Sequence, residues 1–405
     1  MILHAQEHPL AKLWGIEDEY VSTYIERELN LINVDRTIKP YLDELNFAET
    51  YLNIQNDTLT VYTVNMSKVP EILSIREVNQ YEKFLNFIKI DNSISYLKSS
   101  FNEIIKLAIR KMPAGILVSI YPKFNNIIII IYDIERNANQ ERVLEQYIRT
   151  ASQYNPEMIF LNSSNSLNSL TLLHAKRGCC PSRITETIFC GQGISNDDSI
   201  CSAGFFAKNQ SHTFLVTAGH CNDDNIFDHP KKTYFTKETL NPRLIGESVF
   251  SSISPHDLAL IDIKRMSKRL RPSTGVYFAN SSNYVELFIN NNGIPVSTHG
   301  AHLCKAGYIT SVTCGYTDSF NTFIIFFGFN WLEDMIFVGN MESTHGDSGG
   351  PVFAFTNMSS VTLNGIISGT LVNKTLVSPF SYIMPLDIIL KDTNLELDTD
   401  PIVPQ

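Results

Sequence analysis

The chain has 405 residues, of which 43% are hydrophobic and 18% charged, and its formal net charge is −10. This length and composition are those of a globular protein and leave room for two domains with separate cores. The negative charge, without a basic stripe anywhere, argues against a nucleic-acid or anionic-membrane partner, because both are bound by clustered Lys and Arg. The longest apolar runs, residues 127–132 and 323–329, fall well short of the roughly 20 residues of a membrane span and predict buried strands.

The first 160 residues contain no cysteine and alternate between helical and strand patterns. Charged residues with helical spacing occupy residues 19–31 and 141–152, while β-branched and aromatic residues fill residues 58–64 and 126–134. We therefore predict a small α/β domain over residues 1–160.

Residues 161–183 begin with a polar stretch rich in Asn and Ser, which cannot bury a core of its own and predicts a linker that contains a processing site. From residue 184 onward, short β-rich runs are separated by clusters of Gly, Asn, Pro and Ser, a pattern that favours an all-β barrel or sandwich. Only residues 385–390 have a helical pattern there. We predict an all-β domain over residues 184–392 and a C-terminal tail over residues 393–405.

All seven cysteines lie beyond residue 178. No two of them have the Cys-x-x-Cys spacing typical of metal sites. Disulfide bonds, formed in an oxidising compartment, fit the pattern better than reduced core cysteines, which remain the alternative. The odd number leaves at least one thiol unpaired. The N-terminus turns polar too early for a secretory signal peptide, so none is visible, and we expect the gene start to be truncated.

The strongest local pattern is Gly-Asp-Ser-Gly-Gly-Pro at residues 346–351. Glycines on both sides of Ser348 let the backbone turn tightly and expose the hydroxyl group. In such a turn the amides of Gly346 and Ser348 hold the oxyanion that forms when the serine attacks a carbonyl, which contributes about 3 to 4 kcal/mol per donor. The alternative is a glycine-rich turn without function.

A serine is a weak nucleophile until a base takes its proton. The same glycine pattern occurs in α/β-hydrolases, but their catalytic histidine follows the serine, and here no histidine follows His345. His220 is the predicted base, because it stands where an apolar strand at residues 214–217 ends in small residues. His256 adjoins an acid but lacks such a strand. The remaining loop histidines are expected to be solvated: His212, His229, His299 and His302.

The base needs a carboxylate that orients its imidazole and stabilises the imidazolium. Asp257 opens the apolar run at residues 257–261 and is the predicted residue. Asp262, at the far end of this run, is its rival. The sequence thus predicts His220, Asp257 and Ser348 as a catalytic triad.

In this order, the His, Asp and Ser segments resemble the trypsin and chymotrypsin clan of serine proteases, and within it the alpha-lytic protease and streptogrisin branch. Residues 201–205, 304–315 and 367–369 resemble three further motifs of this branch. The resemblance implies a chymotrypsin-like catalytic domain of two packed six-stranded Greek-key β-barrels. It also implies two disulfides, Cys201–Cys221 and Cys304–Cys314.

The resemblance further implies a role for the segment Ser368, Gly369 and Thr370, which would pair with the substrate backbone, with Ser368 hydrogen-bonded to the triad aspartate. Two features depart from the branch. Glu342 stands where many members begin a third disulfide, and no cysteine follows Ser348 to complete it. Thr370 replaces a glycine that walls the S1 pocket, which leaves the preferred substrate residue open. Because Glu342 also lies near the acid of basic-specific members, a preference for Arg or Lys stays open.

The N-terminal half has a looser resemblance. Residues 47–51, 59–62 and 125–133 resemble the pro-region of the same branch, which assists folding and inhibits the enzyme before it is removed. The whole sequence therefore predicts a secreted, monomeric serine endopeptidase made as a zymogen, with polypeptide substrates and its own pro-region as partners. It predicts no metal, organic cofactor, nucleic acid or membrane partner. The alternative is a catalytically inactive homologue that binds other proteins.

Overall fold

The structure is a computed structural model that describes residues 7–132, 134–161, 185–196, 199–222, 231–236, 242–278, 285–290, 293–326, 330–371 and 379–400. The α-helices in this part of the chain are α1 Pro9–Trp14, α2 Val21–Ile38, α3 Val69–Leu73, α4 Arg76–Asn79, α5 Ile94–Lys111, α6 Ala138–Ala151 and α7 Leu386–Thr393.

The strands of the first half are β1 Phe47–Asn53, β2 Thr58–Thr63, β3 Leu85–Lys89, β4 Ile116–Tyr121, β5 Asn126–Tyr132 and β6 Glu157–Leu161. Those of the second half are β7 Glu186–Cys190, β8 Gly193–Ser195, β9 Ile200–Ser202, β10 Phe205–Lys208, β11 Thr213–Thr217, β12 Lys232–Phe235, β13 Arg243–Ser252, β14 Leu258–Asp262, β15 Leu270–Tyr277, β16 Glu286–Ile289, β17 His302–Gly307, β18 Ser311–Ile325, β19 Trp331–Gly339, β20 Pro351–Phe355, β21 Ser360–Leu371, β22 Phe380–Pro385 and β23 Glu396–Leu397.

The first half, which we call the N-terminal region (described residues 7–161), contains two sheets. Strands β1, β2 and β3 form one, and β4, β5 and β6 lie side by side in the other. The isoleucines of β5 are buried on both faces, because Ile127, Ile129 and Ile131 pack with α5 and α6 while Ile128 and Ile130 join the core on the opposite side. Burial on both faces explains why this strand is continuously apolar.

Most of the elements predicted in this region are present. The helical patterns at residues 19–31 and 141–152 lie in α2 and α6, and the strand patterns at residues 58–64 and 126–134 lie in β2 and β5. The helix predicted near residues 385–390 is α7. These predictions are confirmed. No helix among the described residues is both long and apolar enough to cross a membrane.

The described residues of the second half are all β apart from α7, short 3-10 turns and connecting loops. Its first sheet has the strand order β23, β10, β11, β14, β13, β12, β8, β9, and every pairing in it is antiparallel. Strand β23 comes from the predicted C-terminal tail and extends this row beyond β10.

The second sheet contains a closed barrel. Strands β17, β18, β19, β22, β21 and β20 pair in this order, and β20 returns to β17, so six antiparallel strands form a ring. In a closed ring each strand has a neighbouring strand on both sides. The predicted fold class, an all-β domain preceded by a smaller α/β region, is confirmed.

The N-terminal region is joined to this barrel through backbone pairing. Strand β4 runs antiparallel to β18, with Ser119 opposite Thr322 and Ile116 opposite Ile325. The two hydroxyl groups of Ser119 and Thr322 are 3.0 Å apart in a buried hydrogen bond. Apolar side chains of α1 and α2 also belong to the same core cluster as those of the barrel. The predicted linker, apart from Leu161, lies outside the described residues.

Candidate active site

His220 stands on a short 3-10 turn, Gly219–Asn222, at the end of β11. A side chain on Gly219 would place its Cβ 1.8 Å from the carbonyl oxygen of Ser252, so only glycine allows the turn to pack here. The side chain of His220 is 40% exposed, which leaves the outer nitrogen of the ring accessible. Gly219, one of the small residues that led to the prediction of His220, therefore positions this histidine.

Asp257 holds His220 through two hydrogen bonds. Its Oδ1 accepts the backbone amide of His220 at 2.9 Å, and its Oδ2 lies 2.8 Å from Nδ1 of the ring. The Oδ2 atom also accepts the hydroxyl of Ser368, as the resemblance implied. With a carboxylate beside Nδ1, this nitrogen carries the proton and Nε2 is left free to accept one.

The electrostatics of the pair follow from this contact. Burial alone raises the pKa of Asp257, but the charge and hydrogen bonds of His220 and the Ser368 hydroxyl outweigh it, so the pKa lies below its usual value. Burial alone lowers the pKa of His220, but the charge and hydrogen bond of Asp257 outweigh it, and the pKa lies above 6.5. Both shifts keep the aspartate ionised and stabilise the imidazolium.

The rival residues lie elsewhere. Asp262 sits at the opposite end of β14, where its side chain accepts the amide of Lys264. His256 is paired with Asp392 of α7, with 2.5 Å between Nδ1 and Oδ2. Neither of them contacts His220 among the described residues.

The expectation that His299 and His302 are solvated is wrong. They are 5% and 1% exposed, because the N-terminal region covers them. His212 is half-buried near the ring of Phe214, and His229 lies outside the described residues.

Ser348 follows a turn that glycine makes possible. Gly346 has φ +98°, a conformation that other residues rarely adopt. Ser202 braces the turn, since its hydroxyl donates to the carbonyl of Gly346 at 2.8 Å and its amide donates to the carbonyl of Ser348 at 2.8 Å. In the part of the chain that the structure describes, the amides of Gly346 and Ser348 donate to no acceptor. Two free amides in one turn can hold an oxyanion.

Ser348 lies beside the histidine turn. The Sγ of Cys221, the residue after His220, is 3.9 Å from the carbonyl oxygen of Ser348. No hydrogen bond joins the Ser348 hydroxyl to His220 in the described structure, which is common where no substrate is bound, because such bonds tighten in the enzyme–substrate complex.

A buried ion pair that the sequence did not reveal supports this turn. The Nζ of Lys305 is 3.0 Å from Oδ2 of Asp347, and both side chains are 0% exposed. Burial alone raises the pKa of Asp347, but the charge of Lys305 and the hydrogen bonds of Thr310 outweigh it and hold the pKa below its usual value. The only signal in the sequence was a lysine inside an otherwise apolar strand next to Cys304.

The segment Ser368, Gly369 and Thr370 lies near the end of β21 and pairs with β22, where Gly369 is opposite Tyr382. The hydroxyl of Thr370 donates to the carbonyl of Phe380 at 2.9 Å. Glu342 is exposed, so its carboxylate does not sit at the bottom of a buried pocket.

Both implied disulfides are present: Cys201–Cys221 and Cys304–Cys314. Cys190 is a free thiol, and complete burial raises its pKa to about 12. Cys179 and Cys180 lie outside the described residues. The atoms of Cys201, His220 and Cys221 are close enough to hold a metal ion. Both sulfurs are bonded to each other, however, and metals bind thiolates.

Three solved structures resemble this chain in fold. Protease A of Thermobifida fusca is 19% identical, with a TM-score of 0.42 over 53% of this chain and 100% of that one. A Nocardiopsis protease is 20% identical, with a TM-score of 0.42 over 53% of this chain and 100% of its own. A glutamic-acid-specific serine protease, described as using a histidine triad in substrate binding, is 23% identical, with a TM-score of 0.42 over 52% of this chain and 100% of its own.

These similar proteins are alpha-lytic and chymotrypsin-like serine proteases, and the matches cover the C-terminal half of this chain. At this identity the similarity concerns the fold. No protein-family profile matches the chain. The function is therefore inferred from the geometry of the site.

Proposed function

We propose that this chain is the precursor of a serine endopeptidase in which Ser348 is the nucleophile, His220 the general base and Asp257 the residue that orients the base. One observation carries the proposal: the hydrogen-bonded series Ser368, Asp257, His220 lies beside a serine turn whose two amides are unpaired. The site thus combines an ionised, buried carboxylate, a half-exposed imidazole and a free oxyanion site. These are the components of an acyl-transfer centre.

The reaction follows from the positions of the protons. Ser348 attacks the carbonyl carbon of a peptide bond while Nε2 of His220 takes the hydroxyl proton, and Asp257 stabilises the imidazolium that results. The amides of Gly346 and Ser348 bind the negative oxygen of the tetrahedral intermediate. His220 then gives its proton to the leaving amine, and an acyl group remains on Ser348. Water, activated by His220 in the same way, releases the acid.

The substrates we propose are polypeptides. Strand β21 offers Ser368, Gly369 and Thr370 at its end, where an extended peptide can pair with the backbone as an added strand. In this proposal the Thr370 side chain forms one edge of the space for the substrate side chain, and its hydrogen bond to the carbonyl of Phe380 fixes its position. The reaction uses the side chains and backbone amides named above.

We further propose that residues 1–160 are a pro-region, that processing occurs within residues 161–183, and that residues 184–392 form a secreted, monomeric catalytic domain. The pairing of β4 with β18 supports a bound pro-region, since the two parts share a sheet. The two disulfides support an extracellular location, because such bonds persist in oxidising compartments.

Replacement of the nucleophile tests the proposal. Ser348→Ala is expected to lower peptide hydrolysis by the processed protein by roughly 10³ to 10⁶ fold, since the nucleophile is lost while the fold is kept. Labelling with a fluorophosphonate probe, which reacts with activated serines, is expected in the parent protein and not in the variant.

The matched control is Ser211→Ala, an exposed serine in the turn between β10 and β11, which is expected to keep both activities. Equal turnover by the parent protein and Ser348→Ala would contradict the mechanism. A processed parent protein that neither hydrolyses peptides nor takes up the probe would instead support a protein-binding homologue without activity.

A further inference from the structure

The N-terminal region contacts the second half of the chain through buried polar groups. Glu28 of α2 accepts a hydrogen bond from the backbone amide of His302 at 2.9 Å, and a second one from Nδ1 of the same residue. Both residues are 1% exposed. We define the docking face as residues 294–302, which lead into β17, together with Phe278 and Phe355.

Two further contacts extend along the docking face. Thr298 donates to the carboxylate of Asp35 in α2 at 2.6 Å, and the amide of Leu52 in β1 donates to the carbonyl of His299 at 2.8 Å. Polar contacts of this kind need exact partners, so the fit depends on the protonation state of each group.

His302 is neutral in this arrangement. Its Nε2 accepts the amide hydrogen of Phe355 at 2.8 Å, while its Nδ1 donates to Glu28. A ring nitrogen that accepts a hydrogen bond carries no proton. The contacts of His302 with Glu28 and with Phe355 together therefore require the neutral ring.

Two more histidines are buried where the parts meet. The ring of His8 packs on Phe278 and Phe355, with centroid distances of 5.6 and 5.2 Å, and its Nε2 has no hydrogen-bond partner among the described residues. The Nδ1 of His299 also lacks a partner there, and Glu49 is 3.9 Å away. An imidazolium needs an acceptor for each of its two N–H groups, and neither site supplies both, since Nδ1 of His8 is itself an acceptor for Leu10 and Nδ1 of His299 has no partner within the described structure.

We propose that this contact is an acid-sensitive latch: after the chain is cut, the N-terminal region stays bound to the docking face near neutral pH and leaves when His8 and His299 take up protons. The proposal rests on the proposed function in treating the N-terminal region as a pro-region. The latch proposal adds the pH condition under which the N-terminal region dissociates from the catalytic domain. Acid, rather than the cut alone, completes activation.

The histidines set the sign of the pH effect. Burial lowers the pKa of His8 from 6.5 to about 4 and that of His299 from 6.5 to about 3. Each contributes its full stability to the complex above pH 6.5 and loses it as the pH falls toward the bound-state value. The charged or titratable groups beside His8 are Asp18 and His302, and those beside His299 are Asp35, Lys39 and Glu49.

Two acids oppose the histidines. Asp318 of β18 faces Tyr121 of the N-terminal region, and burial raises the pKa of Asp318 from 3.8 to about 6. Burial also raises the pKa of Glu49. A raised carboxyl pKa favours the complex as the pH falls. Between pH 7.5 and pH 5, His8 and His299 each weaken binding about 30-fold while Asp318 strengthens it about 10-fold, so the loss from these three groups together is about 100-fold, and Glu49 acts in the direction of Asp318.

The test measures binding in a nicked chain. The cleavage sequence of a specific protease is placed between residues 162 and 184 of the Ser348→Ala protein, and the purified full chain is cut there. Size-exclusion chromatography with light scattering, over a dilution series, gives the dissociation constant of the two pieces. We expect one 1:1 complex at pH 7.5 and a dissociation constant about 100-fold larger at pH 5.

Variants assign the effect to the histidines. His8→Asn keeps the N-cap bond to the amide of Leu10, and His299→Phe keeps the ring against Phe320, so the double variant is expected to stay bound at pH 5. In Asp318→Asn, the increase in the dissociation constant between pH 7.5 and pH 5 is expected to be about 10-fold larger than in the parent, because the group that opposes release is removed. The matched control is His212→Asn on the first sheet, which is expected to release as the parent does.

Three results would overturn the latch: pieces that separate at pH 7.5, equal dissociation constants at both pH values, or release from the double variant as from the parent. Loss of the near-UV circular dichroism of the uncut chain at pH 5 would also overturn it, since release would then follow from unfolding. Because Ser348→Ala is used throughout, failure here leaves the catalytic proposal standing. A failed catalytic proposal leaves these binding constants unchanged.

Discussion

Asp347 lies between the two residues whose amides form the proposed oxyanion site, and its carboxylate accepts five hydrogen bonds. The donors are the amides of Ile309, Thr310 and Thr344, the hydroxyl of Thr310 and Nζ of Lys305. Such a carboxylate holds the turn in one conformation, so the oxyanion donors are oriented before substrate arrives.

We therefore expect Lys305→Met to damage both stability and activity. The variant leaves the Asp347 carboxylate buried without its cation, which costs about 3 to 5 kcal/mol. Urea unfolding of the processed Ser348→Ala protein, with and without the substitution, measures this cost. Lys264→Met, at an exposed position, is the control and is expected to change stability by less than about 0.5 kcal/mol. A Lys305 variant as stable as the control would show that the ion pair contributes nothing.

The pH dependence of catalysis follows from the His220 pKa. The base acts only when Nε2 is unprotonated, and the charge of Asp257 holds the His220 pKa above 6.5. We expect kcat/KM for a peptide substrate to rise with pH through a midpoint above 6.5. In Asp257→Asn the midpoint is expected to fall, with a loss in kcat of about 10⁴ fold, because the ring loses its preferred tautomer. A parent profile that is flat between pH 5 and pH 8 would count against His220 as the base.

Among individual residues, the triad candidates could be predicted because each has a local pattern in the sequence: glycines around Ser348, small residues before His220 and an apolar strand after Asp257. The buried partners had none. His302 lies 274 residues from Glu28, and a lone histidine in polar sequence does not reveal a carboxylate from a distant helix. Burial by a distant segment is the physical reason that His299 and His302 were predicted to be solvated.

Among the structural elements, the Cys201–Cys221 disulfide fixes the histidine turn to β9. The bond closes a loop with a sequence separation of 20 residues. It also places Cys221 beside the carbonyl of Ser348, so one cross-link sets the spacing between the turn of His220 and the turn of Ser348.

Removal of this bond is expected to be costly. The disulfide lowers the conformational entropy of the unfolded chain by closing a loop with a sequence separation of 20 residues. In Cys201→Ala/Cys221→Ala this restriction is lost, so the free energy of unfolding is expected to fall by about 3 kcal/mol. Thermal and urea unfolding measure the change. The Cys304→Ala/Cys314→Ala pair, with a separation of 10 residues, is the comparison and is expected to lose about 0.6 kcal/mol less. An unchanged midpoint in the first variant would show that the loop is already restrained when reduced.

The sequence predicted elements that carry a clear local pattern: helical spacing in α2 and α6, and a continuous run of β-branched residues in β5. It did not predict how strands from different parts of the chain pair. Ser119 and Thr322 are 203 residues apart, and the pairing of β4 with β18 depends on backbone groups that every residue type carries. Sequence patterns therefore gave the strands but not the sheet that contains them.

In the whole molecule, the two halves are less separate than length and composition suggest. Helices α5 and α6 cover a core of their own, but the apolar residues of α1 and α2 belong to the cluster that fills the second half. The polar composition of residues 162–169 predicted a boundary, and no pattern in the sequence predicted that the regions beside it share apolar contacts.

The pairing of β4 with β18 has a further consequence. While the N-terminal region is present, Thr322–Ile325 have neighbours on both sides, β4 and β19. Once that region departs, these residues become an open margin of the barrel with unpaired amides and carbonyls, and such a margin readily recruits a strand from another molecule. If the proposed processing removes the N-terminal region, we therefore expect self-association at these residues of β18, where that region is now paired.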